Sequence, residues 1–134
     1  MRCLTLQEMR TVLERMPFNQ LLGIRVVKLH KDGVTIECPV REDLRNVAGV
    51  LHGGVAATLA DAAVGIALTN HFGAKRAATT TELKINYLRP IAAGKMVARA
   101  HLLRVGSRLV VGRVDMFDSQ RKLAAAAIVT YMLL

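Results

Sequence analysis

The chain has 134 residues, 52% of them hydrophobic, and a formal net charge of +9 at neutral pH. That is enough apolar material for one domain with a buried core, and a single domain over residues 1–134 is the expectation. So large a positive charge suggests a polyanionic partner, yet aromatics make up only 4% and Trp is absent. The stacking platforms that hold single-stranded nucleic acid are therefore missing, and no nucleic-acid motif is present.

The opening Met1-Arg2-Cys3-Leu4-Thr5-Leu6-Gln7-Glu8 has no continuous apolar run and meets Glu8 early, so no signal peptide is read and a cytoplasmic protein is expected. Cys3 and Cys38 are too few for a disulfide framework and lack metal-ligand spacing, which fits a reducing compartment. Leu4, Leu6, Met9, Val12, Leu13 and Met16 fall at near-helical spacing until Pro17. The pattern predicts an amphipathic helix over residues 5–16 inside an N-terminal capping segment, residues 1–20. Two β-rich runs, residues 24–30 and 34–38, flank Asp32-Gly33, a hairpin signal. A polar connection from Arg41 to Asn46 leads to Val50-Leu51-His52-Gly53-Gly54.

Val55 to Asn70 is long for a strand, rich in Ala, Leu, Val, Ile and Thr, and free of Pro, which predicts a central helix. Gly73 stands where a C-capping glycine would. Val55, Leu59, Ala62 and Ile66 form its bulkier stripe, expected against a sheet. Gly54, Ala57, Thr58, Asp61 and Gly65 form a stripe of small residues carrying the only charge. The run approaches the roughly 20 residues of a membrane span, but Asp61 near mid-bilayer would cost about 2.5–3.5 kcal/mol with little return from alanine. Four strands follow, over residues 77–88, 95–105, 108–117 and 122–133. In the first, alternation puts Thr81, Leu83, Ile85 and Tyr87 on one side and Thr80, Glu82, Lys84 and Asn86 on the other. A hairpin, a buried helix and four successive strands imply an α+β domain with an antiparallel sheet of five to six strands curled around the helix.

Familiar catalytic machinery is absent. The serines are Ser107 and Ser119, neither in a G-x-S-x-G turn, and no phosphate-binding glycine loop occurs. His30, His52, His71 and His101 show no ligand spacing, so no metal is expected. What remains is a carboxylate and a glycine turn. Gly53 and Gly54 sit where a helix leaves its first N–H groups unpaired, so a carbonyl placed there would be polarised. Asp61 could attack that carbonyl or activate water. The two positions are eight residues apart, about 12 Å along one helix, whereas one reacting carbonyl must lie within about 3–3.5 Å of both groups. Two antiparallel copies of the helix, facing through their small stripes, would solve the problem, and a dimer with two shared sites follows.

His-Gly-Gly by itself is most often a turn, and a lone Asp in a helix most often reaches solvent or a cap. Their combination in so apolar a helix favours function. Asn46, then Gly49-Val50-Leu51-His52-Gly53-Gly54-Val55-Ala56-Ala57-Thr58-Leu59-Ala60-Asp61, then Asn86-Tyr87-Leu88-Arg89-Pro90 resembles the hotdog-fold acyl-CoA thioesterases, nearest the phenylacetate-pathway type. The likeness runs from about Gly23 to the C-terminus. It implies a curved antiparallel sheet around the central helix, assembled as homodimers that often pair into tetramers. It also implies hydrolysis of a small aromatic or medium-chain acyl-CoA, with no cofactor beyond the coenzyme A of the substrate, and neither nucleic acid nor membrane as partner.

By the same resemblance Gly53 polarises the thioester carbonyl, and Asp61 of the facing subunit is nucleophile or base. Asn46 and His52 support the carbonyl site, and Thr80 matches a hydroxyl residue that positions water. Gly54, Tyr87, Arg89, Arg104, Gly106, Ser107 and Arg108 fall where substrate and coenzyme A are held. Coenzyme A is a small polyanion, which suits the scattered basic residues Lys84, Arg89, Lys95, Arg99, Arg104, Arg108 and Arg113. Two other activities compete with hydrolysis: an acyl-CoA-binding or regulatory module, and a dehydratase of hydroxyacyl thioesters, which would pair a His with a carboxylate at the acyl carbons.

Overall fold

A computed structural model describes residues 3–134; Met1 and Arg2, the first two residues of the capping segment, lie outside the described residues. The elements run α1 (Leu6–Leu13), α2 (Pro17–Leu22), β1 (Arg25–His30), β2 (Gly33–Pro39), a 3-10 turn (Glu42–Leu44), α3 (Gly53–His71), β3 (Ala78–Tyr87), β4 (Lys95–Val105), β5 (Leu109–Phe117) and β6 (Leu123–Leu133). The six strands form one sheet in the order β1-β2-β4-β5-β6-β3, antiparallel throughout. The sheet wraps α3.

The N-terminal segment departs from the single helix expected over 5–16. Helix α1 opens with a capping box, in which Thr5 Oγ1 accepts from the Glu8 N–H at 3.1 Å and the Thr5 N–H donates to Glu8 Oε2 at 2.8 Å. It ends at Leu13, and Pro17 opens α2. Proline suits the first helical position, where its missing N–H would be unpaired anyway and its fixed φ already fits. Gly23, at φ 75°, then turns the chain into β1.

The β1–β2 hairpin forms as expected, but not for the expected reason. His30 pairs with Gly33, so the loop is Lys31-Asp32 and Gly33 already belongs to the strand. Glycine is needed there because a Cβ would stand 1.9 Å from the Ala100 carbonyl oxygen of neighbouring β4.

Helix α3 buries Ala56, Ala60, Ala63 and Ala67, flanked by Leu59, Val64 and Ile66. Of the expected bulky stripe, Leu59 and Ile66 are fully buried and Val55 and Ala62 half-buried at its margin, so the buried face combines part of that stripe with the alanines. Small side chains let the sheet approach closely: a Cβ on Gly112 of β5 would be 2.7 Å from a Val64 methyl. By length and composition α3 could cross a membrane, yet nine of its residues are buried within this one domain-sized shell. Its end is a Schellman turn. Gly73, at φ 60°, donates to Asn70 O at 3.3 Å, and Ala74 donates to Thr69 O at 2.8 Å.

Strand β3, at one edge of the sheet, breaks the regular alternation read from sequence. Thr80 pairs with Tyr131 and Glu82 with Thr130, so Thr81 is an extra residue in a bulge. The bulge shifts the phase by one, and Thr80 therefore faces α3 together with Leu83 and Ile85 instead of away from them.

Candidate active site

His52 caps α3. Its Nδ1 accepts from the Gly54 N–H at 2.8 Å, so in the neutral ring the proton sits on Nε2. That bond corrects one expectation: the Gly54 N–H is consumed by the cap and is not open to a ligand. The N–H of Gly53, first in the helix, has no acceptor among the described residues. The Gly53 carbonyl accepts from Tyr87 Oη at 2.8 Å, which pins the turn to the end of β3. Asn46 closes the preceding loop by accepting from Ala48 N at 3.0 Å and Val50 N at 3.3 Å. Asn46, Val50, Gly53, Tyr87, Arg89 and Ile91 line a cleft of about 370 Å³.

Asp61 lies two turns further along α3. Thr80 Oγ1 and Tyr131 Oη each reach its Oδ1 at 2.7 Å, and the phenol is also 2.9 Å from the Asp61 main-chain oxygen. Oδ2 has no hydrogen-bond partner among the described residues. Burial pushes the Tyr131 phenol well above its ordinary ionisation range; the Asp61 bond and charge add to this, while the Thr80 contact opposes it. Gly65, one turn beyond Asp61, makes room, since a Cβ there would stand 2.7 Å from Tyr131 Oη. Asp61 and Tyr131 open into a second cleft of about 340 Å³, with Met16 and Phe18 on its wall. Thus one chain presents the free N–H and the carboxylate in different clefts.

The residues expected to hold coenzyme A do not gather on one chain either. Tyr87 and Arg89 border the Gly53 cleft. Arg104, near the end of β4, leads into the β4–β5 turn of Gly106, Ser107 and Arg108, where the Arg108 carbonyl accepts from Leu133 N at 2.7 Å. That is the opposite end of β6 from Ala125, the partner of Tyr87. Among the described residues Arg89, Arg104 and Arg108 form no ion pair. Lys95, Arg99 and Arg113 are held by Glu37, Asp32 and Asp115, and Lys84 donates to Asn86 at 2.5 Å. Of the seven basic residues on strand-like segments, three are thus free to meet a polyanion, and all three are among those expected there.

Nothing in the sequence pattern marks Tyr131 or Gly65 as neighbours of the Asp61 carboxylate. Tyr131 carried a weak signal as the aromatic in an otherwise aliphatic β6. Its pairing opposite Thr80 depends on the bulge, which alternation does not reveal.

A helix N-terminus with an unpaired N–H facing a cleft, and a carboxylate fixed by two hydroxyls with one oxygen free, suit attack on a polarised carbonyl. The model of the thioesterase superfamily matches residues 48–125, so the chain belongs to that superfamily, and its fold is the hotdog fold. It is a thioester hydrolase. SSO2140 of Saccharolobus solfataricus is 33% identical over 115 residues, 86% of this chain and 81% of that protein. The medium/long-chain acyl-CoA thioesterase YigI of Escherichia coli is 29% identical, covering 87% of this chain and 85% of its own. Among solved structures, thioesterase HI1161 of Haemophilus influenzae superposes with a TM-score of 0.91 at 25% identity, covering 99% of this chain and 92% of that one.

Proposed function

We propose that the protein hydrolyses acyl-CoA thioesters at two sites, each formed between facing α3 helices of two copies of the chain. The observation that carries this reading is the separation of the free Gly53 N–H and the free Asp61 Oδ2 into different clefts, about 12 Å apart along one helix. The incompletely buried side of α3 bears Gly54, Thr58, Asp61 and Gly65, the last two beside the β3–β6 edge of the sheet, and these residues are small enough for a second helix to come close. Pairing of such dimers into a tetramer, and a cytoplasmic setting for the exposed Cys3 and buried Cys38 thiols, complete the picture.

In each site the thioester oxygen lies at Gly53 N–H, where the charge of the tetrahedral intermediate is stabilised. By the family resemblance His52 and Asn46 support that carbonyl site. On the nucleophilic route Asp61 Oδ2 attacks the carbonyl carbon, the coenzyme A thiolate leaves and takes a proton, and water opens the resulting mixed anhydride. On the general-base route Oδ2 removes a proton from water as it attacks, and the thiolate again leaves. Thr80 spends its proton on Asp61, so its first task is to hold the carboxylate; its lone pairs stay available to a water. Tyr87 and Arg89 of one copy and the Arg104–Arg108 turn receive coenzyme A.

The apolar Asp61 cleft, with Met16, Phe18 and Ile66, suits an aryl-acetyl or medium-chain acyl group. The resemblance to the phenylacetate-pathway type favours the first, and the name of the E. coli relative favours the second. A dehydratase would pair a His with a carboxylate at the acyl carbons, whereas here Asp61 follows a glycine turn in the thioesterase arrangement and His52 spends Nδ1 on the helix cap.

The test is thiol release from a panel of aromatic and aliphatic acyl-CoA thioesters by wild type and Asp61→Asn, with circular dichroism to confirm folding. A fall of about a hundredfold or more is expected, the scale of losing a nucleophile or general base. No turnover on any member would overturn the proposal and favour an acyl-CoA-binding module.

A further inference from the structure

We propose that Tyr131 is a positioning residue for the hydrolysis: together with Thr80 it holds Asp61 by Oδ1 and so dedicates Oδ2 to the reacting carbonyl or water. This rests on the reading of Asp61 given above and adds to it the residue that aims the carboxylate.

The argument is geometric. Two hydroxyls, from directly paired positions of β3 and β6, converge on one oxygen of one carboxylate at 2.7 Å each. The same phenol lies 2.9 Å from the Asp61 main-chain oxygen, which ties the side chain's orientation to the helix backbone. A carboxylate on a helix ordinarily samples several rotamers; held at one oxygen from two strands it has one direction left, and the other oxygen points where no described group meets it. The arrangement is built from three separate features of the chain. The bulge at Thr81 turns Thr80 inward, the register of β6 sets Tyr131 opposite it, and Gly65 leaves the space that a Cβ would take from the phenol. Burial keeps the phenol protonated, so it donates to the carboxylate throughout the range in which a thioesterase works.

Tyr131→Phe keeps the ring and removes only the hydroxyl. With an acyl-CoA thioester that wild type turns over, kcat is expected to fall by about tenfold to a hundredfold, the size of a lost hydrogen bond to a charged group, with KM within about twofold. In the Asp61→Asn background the same change should cost nothing further, because there is no carboxylate left to aim. A second readout needs no substrate. The chain has two tyrosines and no tryptophan, so in a Tyr87→Phe background phenolate absorbance reports Tyr131 alone, and Asp61→Asn should move its ionisation to lower pH. Wild-type kcat in Tyr131→Phe beside a dead Asp61→Asn would overturn this inference and leave the thioesterase proposal standing. Independent losses in the double variant, or a phenol titration indifferent to Asp61→Asn, would also overturn it. A wild-type protein inactive on every thioester would overturn both.

Discussion

The shared site can be tested by breaking each half on a different chain. Gly53→Pro removes the one N–H proposed to face the carbonyl while leaving the helix its start. Proline is favoured at the first helical position, and His52 before it, at φ −60° and ψ 134°, already has the extended conformation that a following proline demands. The steric cost is modest. A Cβ at Gly53 would lie 3.3 Å from the Tyr87 ring, a ring 55% exposed and free to move by a few tenths of an ångström. Loss of one oxyanion donor is expected to lower kcat about 10²–10³-fold, and Asp61→Asn about a hundredfold or more. When the two inactive variants are unfolded together and refolded at equal concentration, half of the dimers are mixed. Each mixed dimer carries one site with both groups intact, so about a quarter of wild-type activity should return under two-fold symmetry. The assay is thiol release before and after mixing. A mixture no more active than its parts would refute the two-chain site, because a site complete within one chain cannot be rebuilt from these halves.

Two further outcomes follow from local structure. Gly65→Ala should hardly lower the melting temperature, since alanine gains about 1 kcal/mol of helix propensity. It should nevertheless lower kcat about as far as Tyr131→Phe, because ordinary contact begins near 3.4 Å and the new Cβ would sit 2.7 Å from the phenol oxygen; unchanged kcat would refute the close fit. Away from the site, hydrogen bonds from Arg99 at 2.7 Å and His101 at 3.1 Å hold the Asp32 carboxyl down to about 2 from its ordinary 3.8. A carboxyl lowered in the folded state contributes stability above its ordinary value and loses it as pH falls toward the folded one. Melting temperature in wild type should therefore drop between about pH 4 and 2 more steeply than in Asp32→Asn, and parallel curves would refute the assignment.

Much of this molecule was legible in one dimension. The central helix, its glycine C-cap, the hairpin and the four later strands follow from apolar periodicity and from Gly and Pro at the boundaries, which are local properties of the chain. The pairing of a glycine turn with Asp61 was legible too. Helix rise alone sets their separation, and that separation motivates the proposed two-chain site.

Tertiary structure decided the rest. How α3 meets the sheet depended on how closely strands could approach: Ala56, Ala60, Ala63 and Ala67 and Gly112 of β5 let it come close, so these alanines share the buried face with Leu59 and Ile66 while Val55 and Ala62 lie at its margin. Thr80 turned inward because β3 had to absorb one extra residue against β6, a matter of register between segments about fifty residues apart. Gly54 lost its N–H to His52, a choice made by the rotamer of the capping ring. Tyr131 reaches Asp61 because Gly65 leaves it room. Each of these turns on the distance between atoms far apart in sequence, and no local propensity carries that information.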